Sequence, residues 1–208
     1  MTRISPVRRA ALLVTTLVAG LGGVVTTAGS GSAAAPTSQQ VQAAPRTSLT
    51  LVVRDCDRCT VQLVHAINGE DHVWTSHVRR VGSDHQIAFD LRTALTHGLS
   101  FVVEAPWAGN TGAVPNMVTR YAGHKVGTVI DRSDARNAKR AAGCWAGTGA
   151  DTARLTFQID RVSARTPDGH RTKTPLAYSS RTLPSWQPYV RAHKGTIGNQ
   201  DAFYCTRP

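Results

Sequence analysis

Acidic side chains are scarce in this chain. Thirteen Asp and Glu stand against 24 Lys and Arg over 208 residues, a formal charge of +11. No carboxylates cluster, so the paired acids of glycoside hydrolysis find no support. Lysine is nearly missing as well, since 20 of the 24 basic residues are arginine. An Arg- and Ala-rich, Lys-poor composition is what GC-rich coding produces, so the charge by itself is thin ground for an anionic partner. The sequence has no His-Glu-x-x-His, no Gly-x-Ser-x-Gly and no second Cys-x-x-Cys. These absences remove the zinc protease helix, the hydrolase nucleophile elbow and the four-cysteine zinc site as motif-based readings. There is no internal repeat. Beyond the amino end, no apolar run reaches the roughly 20 residues of a membrane-spanning helix.

The amino end itself reads as a secretory signal. Arg3, Arg8 and Arg9 precede an uncharged stretch from Ala10 to Val25, and Ser32-Ala33-Ala34 supplies small residues for cleavage. Gly20, Gly22 and Gly23 interrupt the apolar run, which favours cleavage over anchoring. Loss of residues 1–34 removes three arginines and no acid, taking the charge from +11 to +8. Residues 35–47 are rich in Ala, Pro, Gln and Thr and are expected to be a disordered lead-in. Residues 48–208 are expected to form one domain. The expected location is extracellular, with no transmembrane anchor.

Four cysteines in an exported chain imply two disulfides, with three pairings open. The favoured pairing is Cys56–Cys59, close by construction, with Cys144–Cys205 tying down the carboxyl end. Redox chemistry at Cys56-x-x-Cys59 is disfavoured. Its flanks, Leu49–Arg54 and Thr60–His65, are strand-like, whereas a reactive thiolate usually sits at a helix amino end.

Period-two alternation dominates the domain. Leu49, Leu51 and Val53 alternate with polar or smaller residues, as do Val61 and Leu63, Ile87, Phe89 and Leu91, Leu99, Phe101 and Val103, and Leu155, Phe157 and Ile159. Val73 to Val81 reads as one further strand, and Met117, Thr119 and Tyr121 as another. Asn68-Gly69, Gly82-Ser83-Asp84 and Pro167-Asp168-Gly169 mark turns. Residues 133–143 read as the one helix, with Ser133 as cap, a small-residue face and Gly143 as stop. Leu176 to Cys205 is expected to be short strands and loops pinned by Cys205. The fold class is therefore all-β, an antiparallel β-sandwich with one short helix, stapled by two disulfides.

The order of elements from Thr50 to Ala105 resembles carboxypeptidase regulatory-like (transthyretin-like) sandwiches. A strand, a corner, Thr-Val-Gln-Leu, Ile-Ala-Phe-Asp-Leu and then Gly98-Leu-Ser-Phe-Val-Val-Glu-Ala follow in turn. The chain as a whole is similar to uncharacterised secreted proteins of high-GC actinobacteria. The resemblance implies a sandwich with a binding or structural role, carries no catalytic residues, and is departed from by the Cys56/Cys59 pair.

Two candidate sites follow from the residues. In the Gly-rich loop after Val103, Trp107 with Asn110 and Thr111 offers an aromatic face beside polar groups, suited to a sugar ring. Trp107 could equally fold back to cap the sandwich. The second is a basic group, Arg120, His124, Lys125, Arg132, Arg136, Lys139 and Arg140, which could meet an anionic polymer or be a solvated face. Aromatic interleaving is thin, so nucleic acid is not expected as a partner. His65 and His85 could meet across a sheet, and Ser100, Asp90 and a histidine are nameable as a dispersed triad, but no motif supports either. No catalytic residue, metal ligand or cofactor is assigned. The expected role is non-catalytic binding of an anionic cell-wall polymer, a polysaccharide or another extracellular protein. An extracellular hydrolase and a secreted protease inhibitor using the 107–115 loop are the alternatives.

Overall fold

A computed structural model of the chain describes residues 43–112, 114–166, 168–198 and 203–208. The signal and cleavage readings lie outside the described residues. Among the described residues eleven strands run in chain order as β1 (Arg46–Arg54), β2 (Thr60–His65), β3 (Trp74–Thr75), β4 (Arg79–Arg80), β5 (Gln86–Arg92), β6 (Leu99–Glu104), β7 (Arg120–Tyr121), β8 (Arg140–Ala142), β9 (Thr152–Arg165), β10 (Arg171–Ser179) and β11 (Val190–Arg191), with a 3-10 turn at Thr93–Thr96 and helix α1 at Arg132–Asn137. They form three sheets, ordered β10-β9-β1-β5, β11-β8-β7, and β2 flanked by β3 and β4 on one side and β6 on the other.

The main core lies between the first sheet and the β2/β6 sheet. Leu49, Leu51 and Val53 of β1 join Ile87, Phe89 and Leu91 of β5 and Leu155, Phe157 and Ile159 of β9 on one wall. Val61, Leu63, Phe101 and Val103 supply the other. Each such side chain contributes about 1.5–3 kcal/mol on burial. Phe101 and Phe157 meet across the core with ring centroids 5.1 Å apart, within the range of favourable tilted aromatic pairs. All pairings within the sheets are antiparallel except β1 with β9, which runs parallel from Ser48 opposite Thr152 to Arg54 opposite Gln158.

A second core sits on the far side of β9 and β10. Val162, Leu176 and Tyr178 pack there against Tyr121, Ala135, Ala141, Ala192 and Ile197. This burial explains where the helix expectation fails. The helix covers only Arg132–Asn137, capped by Asp131, whose side chain accepts from the Asp134 amide while Asp134 reaches back to the Asp131 amide. The alanines after it do not extend the helix. Ala141 and Ala142 are fully buried in β8, which pairs with β7 and β11. Tertiary pairing overrides the alanine-rich propensity there.

Three other expectations change. The lead-in ends earlier than residue 47, because β1 starts at Arg46 and the buried Thr47 hydroxyl bonds to the Ala150 carbonyl and Thr93. The single strand at Val73–Val81 is two short strands, since the Ser76 hydroxyl takes the Leu63 amide in place of a regular ladder bond. Residues 176–179 are no tail. They end β10, which is buried on both faces from Thr174 to Ser179 and pairs with β9 over its whole length.

Both disulfides form as expected, Cys56–Cys59 and Cys144–Cys205. Cys205 is also sewn in by its backbone, with its amide on Ala66 and its carbonyl taking the Asn68 amide. Among the described residues no helix is long and apolar enough to cross a membrane.

Candidate functional site

Three loops meet at one end of the main sandwich. The first is the corner from Asp55 to Cys59 that joins β1 to β2. Its sulfurs face inward, with Cys56 and Cys59 at 1% and 0% exposure in the main core. The residues between and before them, Asp55, Asp57 and Arg58, are therefore turned out to solvent. The second is the turn from Gly82 to His85, whose His85 carbonyl takes the Val53 amide at 2.8 Å and so locks the turn to the end of β1. The third follows β6 and carries Pro106 and Trp107. Together Asp55, Asp57, Arg58, His85, Pro106 and Trp107 line an open cavity of about 550 Å³.

Three of these residues, Asp55, Arg58 and His85, have φ of 58°, 62° and 58°, in the left-handed region. Non-glycine residues enter that region at a cost of order 1–3 kcal/mol each and concentrate at binding sites. The fold holds them there by the disulfide, by the His85–Val53 bond and by Gln158, whose amide donates to the Asp55 carboxylate. The His85 Nδ1 is out of solvent and without a hydrogen bond among the described residues, and the nearest carboxylate oxygen, on Asp57, is 3.8 Å away. The Asp57 side chain is 83% exposed. The cavity thus presents two carboxylates, one imidazole and one guanidinium around an indole.

Trp107 is half-buried and packs on the main core. The Arg161 guanidinium lies 4.5 Å from its ring centroid, a cation–π contact that occupies ring surface. The edge of the indole, rather than a bare face, is what the cavity offers. Asn110 and Thr111 do not share this cavity. They line a neighbouring one of about 290 Å³ on the β10 side, where the Asn110 side chain takes the Gly112 amide. The described part of the loop lies against β10, with the Gly109 amide on the Lys173 carbonyl.

The seven-residue basic group is split by the fold. Strand register puts Arg120 of β7 and Arg140 of β8 on one face of the three-stranded sheet. Arg120 bonds the His124 carbonyl and Arg140 the Tyr189 carbonyl. Burial pushes the Tyr189 hydroxyl above its ordinary pKa, and Arg120 pulls it back. Arg132 turns away to Asp160 at 3.7 Å. Lys125, Arg136 and Lys139 are exposed. Arg191 stands directly opposite Arg140 across the β8–β11 pair, a neighbour the sequence reading missed.

His65 and His85 lie at opposite ends of β2, since His65 pairs with Trp74 and Leu99 while β4, which leads into the His85 turn, pairs with Thr60 and Val61. Ser100 is fully buried against the Cys144–Cys205 disulfide, and Asp90 is held by Arg46 at 2.8 Å, so the nameable triad is not assembled. Among the described residues no three His, Cys, Asp or Glu side chains group as a metal site. Asp55, Asp57 and Arg58 were not found from sequence and His85 was named only as a partner for His65, because none of them stands out until the corner and the turn are brought beside Trp107. No protein-family model, no curated protein and no solved structure matches the chain.

Proposed function

We propose that the protein is exported and acts outside the cell as a non-catalytic binder of envelope or extracellular glycan, through the cavity at the Cys56–Cys59 corner. The observation that carries this reading is the cavity of about 550 Å³ that sets the edge of Trp107 among Asp55, Asp57, Arg58 and His85. Carboxylates, an imidazole and a guanidinium offer acceptors and donors for sugar hydroxyls, and an indole edge offers apolar contact to a ring. The corner disulfide and the left-handed residues fix the polar groups before ligand arrives, which lowers the cost of ordering them on binding. Binding residues on loops held by a rigid sandwich follow the common division of labour between scaffold and site. Among the described residues Gly109 bonds to β10 and Ser100 is buried at the Cys144–Cys205 disulfide, which lends no support to a projecting inhibitor loop or to a hydrolase site built on Ser100.

The test is sedimentation with purified cell-wall polysaccharide, followed by competition with free sugars. Asp57→Asn, at an exposed position, is expected to weaken binding several-fold without altering the fold. Trp107→Phe, which keeps core packing, is expected to weaken it as well. Unchanged retention of both variants on wall material would refute the site.

A further inference from the structure

A third concavity lies away from the corner, where the end of β9 meets the segment after β11. It encloses about 280 Å³ and its wall carries Arg165, Arg191, His193 and Lys194, with no Asp or Glu among its lining residues. None of these four side chains makes an ion pair among the described residues. Thr111, Ser163, Thr174 and Thr196 add hydroxyls to the wall, beside Pro115, Val162 and Ala164. The Thr196 hydroxyl is out of solvent and has no hydrogen-bond partner among the described residues.

His193 and Lys194 sit on a rigid piece of backbone that follows Arg191. His193 and Thr196 exchange both backbone hydrogen bonds at 3.0 Å, closing a two-residue hairpin around Lys194 and Gly195. Lys194 and Gly195 have φ of 48° and 74°, the left-handed pair that such tight hairpins require. The hairpin is pressed onto α1, where a Cβ at position 195 would fall 1.5 Å from the Ala135 carbonyl oxygen. The Tyr121 hydroxyl donates to the Gly195 carbonyl at 3.1 Å. Beyond the concavity the positive charge continues, because Arg191 stands opposite Arg140 and Arg120 lies on the same face. Like charges directly across a strand pair cost stability unless something of opposite sign relieves them. Among the described residues no carboxylate lies within ion-pair distance of Arg120, Arg140 or Arg191.

We infer that this concavity binds the phosphate group of a phosphate-bearing ligand, through Arg165, Arg191 and Lys194 with hydroxyls beside them. Arginine forks and an ammonium are the groups that recognise tetrahedral phosphate oxygens. The run on to Arg140 and Arg120 suits a base-free phosphodiester chain. No Phe, Tyr or Trp lines the wall and His193 is its one ring, a poor stacking platform for nucleic-acid bases. The site shares no residue with the Trp107 cavity, so each stands or falls alone.

The test titrates the oxidised protein with inorganic phosphate, a short poly(glycerol phosphate), a single-stranded oligonucleotide and polygalacturonate, by calorimetry at low and physiological salt. Both base-free phosphate probes are expected to bind. Tighter binding of the chain would assign a polymer, and equal binding per phosphate a free phosphate group. Arg191→Gln with Lys194→Gln, both exposed in the free protein, should weaken either at least about tenfold and make the salt dependence shallower. Arg54→Gln with Arg92→Gln removes the same charge elsewhere and should change little, as should Trp107→Phe. The inference is overturned if no phosphate probe binds, if polygalacturonate binds as well as the phosphate chain, if the distant pair weakens binding equally, or if the oligonucleotide binds more tightly than the base-free chain.

Discussion

Removing the two disulfides one at a time should cost very different amounts. Cys144–Cys205 spans 61 positions and Cys56–Cys59 only three. In the chain-entropy description, closing the longer loop stabilises by about 4 kcal/mol and the shorter by about 1.5 kcal/mol. The four cysteines are equally buried, at 1% exposure or less, so the packing lost on replacement by alanine is similar in both pairs and drops out of the comparison. With a urea slope of about 2 kcal/mol per molar, the Cys144→Ala/Cys205→Ala protein should unfold about 1.2 M earlier than the Cys56→Ala/Cys59→Ala protein, and both earlier than the parent. Equilibrium unfolding followed by tryptophan fluorescence measures both. Limited proteolysis with mass spectrometry adds location. Without the long bridge, new cuts should appear near residues 203–208, which are then held by backbone bonds at Cys205 and Thr206, by the Asn68–Thr206 and Arg207–Glu70 side-chain contacts and by partial burial of Phe203 and Tyr204. Residues 171–179 should stay protected as a sheet strand. Equal midpoints for the two variants, or a larger loss at the corner, would refute the entropy argument.

Two further predictions use the same unfolding assay. Gly195→Ala should destabilise by about 3 kcal/mol, combining a left-handed alanine with the overlap at Ala135. Gly69→Ala, also at positive φ but with nothing within 4 Å, should cost only about 1 kcal/mol, and similar losses for both would sink the steric part of the reasoning. Burial lowers the His65 pKa below its ordinary 6.5, so the folded state resists a proton the unfolded chain accepts. Stability should therefore fall as pH drops below 6.5, and His65→Gln should shrink that fall; an unchanged pH profile in the variant would contradict it.

Alternating residues carried most of the fold into view. Leu49, Leu51 and Val53, or Leu155, Phe157 and Ile159, each place a whole strand by local pattern, and cysteine spacing suffices for the corner bridge. The second core was hidden because its strands are short and its partners distant in sequence. β10 contains Pro175 and two Thr, and no local pattern separates a strand buried on both faces from a loop there. The alanines at 141 and 142 show the same limit, since their propensity is helical and their use is close packing in a sheet. Trp107 stood out as a type of residue, whereas Asp57 and His85 matter by position alone. Position here is set by pairing between strands far apart along the chain. The cations at Arg165, Arg191 and Lys194 were likewise separated in sequence and are gathered by the hairpin and the end of β9.

The parallel pairing of β1 with β9 governs when the molecule can be finished. The first strand to leave the ribosome occupies an interior place in its sheet, between β5 and a partner that begins at Thr152. Until that partner is made, one full edge of β1 has no strand to bond. β9 in turn is completed only by β10, which ends at Ser179. A growing or fragmentary chain thus exposes an unpaired edge for most of its length, the condition that favours wrong pairing between molecules. No fragment that stops short of Ser179 contains the finished sheet, and the loops that build the Trp107 cavity, though complete by residue 109, have no settled wall to stand on until then.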